Sequence, residues 1–210
     1  MKILIFGNGG HAKVVADILL DASGMDPIGF LAPEEGTPLL GLPFLGDAGQ
    51  AAMTPHDGAV VAIGDNRARR TVYLDCLAKG MTLTSAIHPS AVIGREVTIE
   101  PGCMICAGAV INSGATIRAN TILNTGCTVD HDCVVGPHAH VAPGVNLAGT
   151  VTVGEGVFLG IGTSVIQGIE IGAWAIAGAG AAIIENVRPE AVVVGVPARE
   201  LTKRTPRERH

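Results

Sequence analysis

Three of the seven histidines of this 210-residue chain lie within ten residues of one another, and aspartates flank the first of them. The segment reads Asp130-His131-Asp132, and His138 and His140 follow. An imidazole beside a carboxylate is the arrangement of a general base, because the acid fixes the tautomer and raises the basicity of the ring. His131 is therefore a candidate base, and an ordinary solvated histidine is the simpler interpretation.

A glycine-rich loop near the amino terminus is the second candidate site. Residues 7–12 (GNGGHA) nearly fit G-x-G-x-x-G/A, a pattern in which glycines let the main chain approach a pyrophosphate at the start of a helix. As a dinucleotide fingerprint the match is weak, since no acidic residue closes the second predicted strand. A tight strand-to-helix turn without a ligand explains the same residues.

Short apolar runs alternate with helical stretches before residue 85. The predicted strands are Lys2–Phe6, Pro27–Leu31, Leu42–Leu45 and Ala59–Ile63, and the predicted helices are Ala12–Leu20 and Arg67–Lys79. Strands that alternate with helices predict an α/β domain with a small parallel sheet over residues 1–84.

A period of six governs the chain beyond residue 85. Every sixth residue from Ile87 to Ile183 is Ile, Leu or Val, with Ala177 as the exception, and the positions two residues earlier are mostly small or β-branched. The repeat predicts a solenoid over residues 85–188, in which each hexad supplies one short strand with both marked positions inward and one turn. The residue after each marked aliphatic is often Gly, Asn or Asp, and we expect it to take the positive φ of the corner.

The composition agrees with a narrow coil. Aromatic residues make up 3% of the chain while glycine contributes 29 of 210 residues, which fits a bore too narrow for aromatic rings. Trp174 does not fall on one of the inward positions of the repeat, so we expect its side chain outside the coil.

The net charge of −5 argues against non-specific nucleic-acid binding.

The cysteines and apolar runs predict a cytoplasmic protein. The run at residues 3–6 is too short for a signal peptide or a bilayer span. The five cysteines are expected to be free, buried thiols. Cys103 and Cys106 have the spacing of a metal or redox pair, but no second pair follows and the repeat explains Cys103.

Four motifs together resemble the hexapeptide-repeat acetyltransferases that modify nucleotide-linked amino sugars and sialic acids, a group that includes bacillosamine-pathway and perosamine N-acetyltransferases. They are residues 7–17, residues 62–69 (AIGDNRAR), residues 130–154 around the histidines, and residues 195–199 (GVPAR), which match a G-x-P-A-[KR] loop. The resemblance covers essentially the whole chain. It implies a left-handed parallel β-helix after the α/β domain, with residues 189–210 as a closing loop and tail.

The resemblance also implies a function. The chain is expected to be an acetyl-CoA-dependent N-acetyltransferase that acts on the amino group of a nucleotide-linked 4-amino-dideoxy sugar. His131 takes the position of the general base and Asp132 that of the acid that strengthens it. The residues implied along acetyl-CoA are His140, Gly149, Ile161 and Ala179; those implied at the nucleotide sugar are Gly9, Gly10, His11, Gly64, Asn66 and Arg69.

The assembly implied by the resemblance is a homotrimer with active sites between subunits. No metal, nucleic acid or membrane partner is expected. The position after the second strand, where the family often has adjacent acids, reads Leu31-Ala32-Pro33, followed by Glu34 and Glu35. The nucleotide base therefore stays open among UDP, GDP and dTDP.

Three other activities stay open. Members of the same family O-acetylate sialic acid. A metal hydratase of the γ-carbonic-anhydrase type would use His131, His138 and His140 as ligands. A nucleotide-sugar-binding protein without catalysis would use the same scaffold. The sequence also leaves open whether Asp130 or Asp132 holds the imidazole.

Overall fold

The computed structural model describes residues 1–36 and 39–201. The N-terminal part contains a three-stranded parallel sheet in the order β2-β1-β3. Both faces of the sheet are covered, because alternate residues of the central strand are buried on opposite sides. Its elements are β1 Lys2–Phe6, α1 Gly10–Asp21, β2 Asp26–Leu31, a 3₁₀ helix Ala48–Met53, β3 Gly58–Val61 and α2 Asn66–Ala78.

The two α-helices pack on opposite faces of this sheet. Val15 and Leu19 of α1 lie in one apolar cluster with Ile3 and Ile5. On the other face, Tyr73 of α2 packs in a cluster that contains Leu4 and Phe6. Neither α-helix of the described residues is long and apolar enough to cross a membrane.

The predicted strand Leu42–Leu45 is wrong. Leu42 and Phe44 each make one isolated bridge, to Leu39 and Phe30, in place of a continuous ladder. The apolar side chains of this segment pack against the core of the N-terminal part, which explains the hydrophobic run without a strand.

A left-handed parallel β-helix of about six turns follows. Each turn lays one short strand on each of three faces. The first face holds β4 Ala86–Ile87, β7 Met104–Ile105, β10 Ile122–Leu123, β13 His140–Val141, β16 Phe158–Leu159, β19 Ile176–Ala177 and β21 Val192–Val194, with β22 Arg199–Glu200 antiparallel at its end. The second holds β5 Val92–Ile93, β8 Val110–Ile111, β11 Thr128–Val129, β14 Asn146–Leu147, β17 Ser164–Val165 and β20 Ala182–Ile183. The third holds β6 Thr98–Ile99, β9 Thr116–Ile117, β12 Val134–Val135, β15 Thr152–Val153 and β18 Glu170–Ile171.

The interior of the β-helix confirms the six-residue repeat. The marked aliphatic residues and the small residues two positions earlier form one continuous buried cluster from Cys103 to Val193. Its buried members are aliphatic side chains, alanines and cysteines, and Phe158 and Trp174 lie outside it. The low aromatic content therefore reflects a narrow bore, as predicted.

The positive φ values fall elsewhere than predicted. From Ile93 to Ala177 they occur three residues after each inward aliphatic or alanine, at the second residue of each turn, as at Gly102, Gly126 and Asp132. The glycines directly after the strands are required for a different reason, which is the space available for a side chain. A Cβ at Gly136 would lie 2.7 Å from the main chain of the next coil, so close stacking rather than backbone conformation excludes a side chain there.

The first face of the β-helix joins the N-terminal part. Met104 and Ile122 point outward from this face, yet both are fully buried in the cluster that contains α1. Phe158 lies farther along the same face and is partly exposed. The N-terminal part thus covers the early strands of the first face.

The β-helix sheet continues past the expected end at residue 188. Val192–Val194 pairs in parallel with β19, and Arg199–Glu200 then turns back as an antiparallel strand. The predicted tail at residues 202–210 lies outside the described residues.

Candidate active site

His131 and Asp132 form the turn between the second and third faces. Asp132 takes a φ of 57°, and its Oδ2 lies 2.9 Å from Nδ1 of His131. Asp130 instead accepts a hydrogen bond from the His131 main-chain N–H at 2.7 Å and another from the Asn112 side chain. Asp132 is therefore the acid in contact with the imidazole, and Nε2 remains available to a substrate.

The carboxylates around His131 favour its basic character. The hydrogen bond from Asp132, with smaller contributions from both aspartate charges, raises the pKa of His131 above its ordinary value. The side chain of His131 is 58% exposed, so a ligand reaches the ring without an opening motion. The pair has the geometry of a base held in one tautomer by an acid.

Asp132→Asn is expected to move the acid limb of the pH–rate profile to lower pH. A base works only when unprotonated, and the substitution removes the main group that raises the pKa of His131. The plateau rate should also fall, by part of the roughly 10²–10⁴-fold that a general base contributes. The measurement is kcat against pH. Asp130→Asn is the control, and an equal displacement of both profiles would contradict the assignment of Asp132.

Two glycines of neighbouring coils make room for this pair. A Cβ at Gly149, one coil after His131, would overlap Nε2 of His131. A Cβ at Gly114, one coil before Asp132, would lie 2.6 Å from Oδ1 of Asp132. The ring and the carboxylate therefore rest directly on bare main chain.

Gly149→Ala is expected to lower kcat about a hundredfold, since misplacing a catalytic group by about 1 Å can have that effect. Gly149 does not have a positive φ, so alanine fits the backbone and displaces only the exposed ring of His131. The measurement is a double-mutant cycle with His131→Ala. If Gly149→Ala lowers kcat equally in both backgrounds, Gly149 does not act through His131.

A second group of polar residues lies on the first face, beneath the N-terminal part. The Asn124 side-chain amide donates to Nε2 of His140 at 3.1 Å, which leaves the proton of the neutral ring on Nδ1. His11 lies with its ring centroid 6.1 Å from that of His140, and its Nε2 is 3.3 Å from the sulfur of Met104. Sequence reasoning assigned no role to Asn124, although it begins the histidine-rich segment.

Both of these histidines are neutral at physiological pH. Burial, with the nearby charge of Arg69, lowers the pKa of His140 to about 4. Burial lowers the pKa of His11 to about 3, and the charges of His140 and Arg69 act in the same direction. Nδ1 of His140 is buried and has no hydrogen-bond partner within the usual distance among the described residues, although a main-chain hydrogen bond with Gly64 acts against the lowering of the pKa of this ring.

His138 has a different environment from its two neighbours in sequence. It is buried at the turn between the third and first faces, its Nδ1 accepts a 2.8 Å hydrogen bond from the Asn120 side-chain amide, and its ring packs edge-on against Tyr73. The described residues contain no group of three His, Cys, Asp or Glu side chains placed to hold a metal ion.

The glycine-rich loop leads into α1, and the space around its last two glycines is open. Gly9 precedes the helix without a side-chain cap, and the first turn carries no acidic residue. A Cβ at Gly9 or Gly10 would meet no atom within 4 Å. Free N–H groups at a helix start attract anions. A cleft of about 400 Å³ runs from Gly10 and Lys13 to Thr125 of the β-helix.

Asn66 and Arg69 have structural contacts that sequence reasoning did not foresee. Arg69 is fully buried and donates to five main-chain carbonyls, at Ile63, Gly64, Asn120, His138 and Ala139, and to the Asn66 side chain. Asn66 in turn donates to the carbonyls of Gly156 and Val157. These contacts join α2 to the β-helix rather than leave the side chains free for a substrate. Gly64 packs close to His11.

The remaining expected cofactor residues lie on two different edges of the β-helix. The turns between the first and second faces form the Thr125 edge: Ala107, Thr125, Pro143, Ile161 and Ala179. The turns between the second and third faces form the His131 edge: Ser113, His131, Gly149 and Gln167. Six residues separate Thr125 from His131, at most about 20 Å of chain. One chain therefore does not gather all the expected residues at one place.

The cysteines are unsuited to covalent chemistry. All five are buried and free. Burial raises the pKa of Cys103, Cys106 and Cys127 to about 12, so they are thiols at neutral pH and poor nucleophiles.

The comparisons with known proteins agree with these features. The PglD N-terminal domain matches residues 2–75. GDP-perosamine N-acetyltransferase of Escherichia coli O157:H7 is 33% identical over 151 residues, 70% of this chain and 68% of that protein. PerB from Caulobacter crescentus, solved in complex with CoA and GDP-perosamine, superposes with a TM-score of 0.92 at 38% identity, covering 96% of this chain and 98% of that one. The acetyltransferase domain of PglB from Neisseria gonorrhoeae, in complex with acetyl coenzyme A, superposes with a TM-score of 0.91 at 32% identity over 95% and 98% of the two chains.

The small parallel sheet and the left-handed β-helix with an exposed His–Asp pair define a β-helix acyltransferase. The comparisons identify the family within this class of acyltransferases, and they confirm the resemblance found in the sequence. The chain belongs to the hexapeptide-repeat family of nucleotide-sugar amino N-acetyltransferases.

Proposed function

We propose that this protein transfers the acetyl group of acetyl-CoA to the amino group of a nucleotide-linked 4-amino-dideoxy sugar, with His131 as the general base. The observation that carries the proposal is the 2.9 Å contact between His131 and Asp132 on an exposed edge. The relatives that bind or act on GDP-perosamine support the substrate class.

The compartment proposed for this reaction is the cytoplasm. Five free, buried thiols suit its reducing conditions.

The reaction needs no covalent enzyme intermediate. The amine nitrogen attacks the thioester carbonyl carbon while Nε2 of His131 takes a proton from the amine. The new C–N bond forms, the C–S bond breaks, and the protonated imidazole returns a proton to the departing CoA thiolate.

The active site forms between two copies of the chain in this proposal. The glycine-rich loop and His140 belong to the Thr125 side of the β-helix, whereas His131 lies on the next edge. A cyclic trimer brings the His131 edge of one copy against the Thr125 edge of its neighbour, and the groove between them suits pantetheine beside Gly149, Ile161 and Ala179.

Mixed oligomers test this arrangement. The two variants are His131→Asn and Gly10→Asp, each expected to be inactive alone. When both chains assemble together, about a quarter of the interfaces should pair an intact loop with an intact His131 and regain activity. A monomer in sedimentation with full activity, or no recovery in mixed assemblies, would contradict a shared site.

The activity itself is tested by CoA thiol release with purified protein. The acceptors are UDP-, GDP- and dTDP-linked 4-amino-dideoxy sugars and free sialic acid. Mass spectrometry of the product should show one acetyl group on the sugar nitrogen. Turnover on sialic acid alone would establish the O-acetyltransferase instead, and nucleotide-sugar binding without any thiol release would establish a binding protein.

A further inference from the structure

A cavity of about 630 Å³ lies at the carboxyl ends of the three parallel strands of the N-terminal part, and no step above has used it. We call it the strand-end cavity. Open α/β sheets bind their ligands outside the carboxyl ends of the strands. Its walls are largely apolar; the lining residues are Phe6, Gly7, Leu31, Ala32, Pro33, Asp47, Ala48, Gly49, Ile63 and Val72.

The position of the strand-end cavity links it to the proposed phosphate site. Gly7 lines the cavity and begins the loop whose Gly9 and Gly10 lead into α1. A nucleoside diphosphate can therefore place its base in the cavity and its phosphates against the start of α1. The volume is in the range of sites that hold small ligands.

Asp47 is the one charged side chain among the residues that line this cavity. Its Oδ1 accepts the N–H of Gly49 at 2.8 Å, which fixes the orientation of the carboxylate. No described residue donates to Oδ2. The carboxylate therefore presents fixed acceptor positions beside a largely apolar cavity with room for a base.

The bases differ in what they offer such an acceptor. Guanine carries two adjacent donors, its ring N1–H and its exocyclic amino group, which match the two oxygens of one carboxylate. Uracil and thymine present a single N–H between two carbonyls, so a carbonyl would face the carboxylate and repel it. The wall from Leu31 to Pro33 offers no acid of its own.

We propose that Asp47 selects guanine as the base of the nucleotide sugar by a bidentate hydrogen bond in the strand-end cavity. This inference rests on the proposed function for the sugar and the acetyl transfer, but the base site can be tested without turnover. It resolves the choice among UDP, GDP and dTDP in favour of GDP.

The first experiment measures binding of GDP and of UDP alone by calorimetry. The wild type should bind GDP more tightly, and Asp47→Asn should weaken GDP binding about ten- to a hundredfold, because one bidentate pair discriminates by that order. Asparagine and serine both cap a helix start, so Asp47→Asn and Asp47→Ser keep the 3₁₀ helix while they remove the carboxylate. Asp57→Asn is the control, because Asp57 accepts the main-chain N–H of Lys2 and does not line the cavity.

The second experiment measures kcat/KM for one amino sugar carried on GDP, UDP and dTDP. Asp47→Asn should abolish the preference for GDP and leave the KM for acetyl-CoA unchanged. Equal binding of GDP and UDP by the wild type, or unchanged GDP binding by both Asp47 variants, would overturn the inference even if acetyl transfer occurs. Asp47-dependent GDP binding without acetyl transfer would instead overturn the proposed function and support the base site.

Discussion

The His131→Asn variant is expected to lose about 10²–10⁴-fold in kcat, the usual contribution of a general base. An amine that is protonated at neutral pH is no nucleophile, and Nε2 of His131 is the exposed nitrogen left free by the contact with Asp132. The KM values should change little, because the substitution removes an interaction made during proton transfer rather than in substrate binding.

The measurement is steady-state thiol release with both substrates varied. His56→Asn is the matched control, because that ring forms a hydrogen bond with the main-chain carbonyl of Thr54 and belongs to no proposed site. The thermal midpoints of both variants should stay near that of the wild type, since the His131 side chain is exposed. A His131→Asn enzyme with wild-type kcat would refute the general-base assignment.

The Arg69→Met variant is expected to lose more than about 3 kcal/mol of stability, in the range reached when a buried hydrogen-bond network is broken. Arg69 is 0% exposed, and burial lowers its pKa only to about 10, so it remains a cation. Its partners are carbonyl oxygens of both the N-terminal part and the β-helix. Methionine fills similar space but leaves those carbonyls without a donor.

The neighbouring Arg70 supplies the matched control. Its Nε lies 3.0 Å from Glu155, and its side chain is 44% exposed, so Arg70→Met should change stability by less than about 1 kcal/mol. For a chain of this size a loss of 3 kcal/mol lowers the thermal midpoint by roughly 6–12 °C. Equal midpoints for Arg69→Met and Arg70→Met would show that the buried network does not hold the two parts together.

The architecture of the β-helix could be predicted from the sequence because its signal repeats. Each coil must fill the same narrow bore, so the same residue types recur every six positions from Ile87 to Ile183. The segment Leu42–Leu45 offers one hydrophobic run without repetition, and its packing against the core imitates the pattern of a strand.

The site was predictable only in part, because its residues meet across coils. His131 and Asp132 are adjacent in sequence, so their pairing could be anticipated. The clearance that Gly149 and Gly114 provide depends on stacking register, which places a residue over another 18 positions away. The resemblance of residues 62–69 to the family motif placed Arg69 at the nucleotide sugar; its burial against main-chain carbonyls follows from how α2 docks on the β-helix.

The stacking register also fixes the distances between residues along each edge of the β-helix. Strands one coil apart are about 4.8 Å apart, so distances along an edge change only in steps of that size. An insertion of 18 residues after Asp132 would keep every later residue on its own edge and lengthen the groove by one step. An insertion of six residues would instead carry Gly149 away from His131 to a different edge. The number of 18-residue coils thus sets the length of the groove, and the number of six-residue hexads sets the edge on which a residue lies.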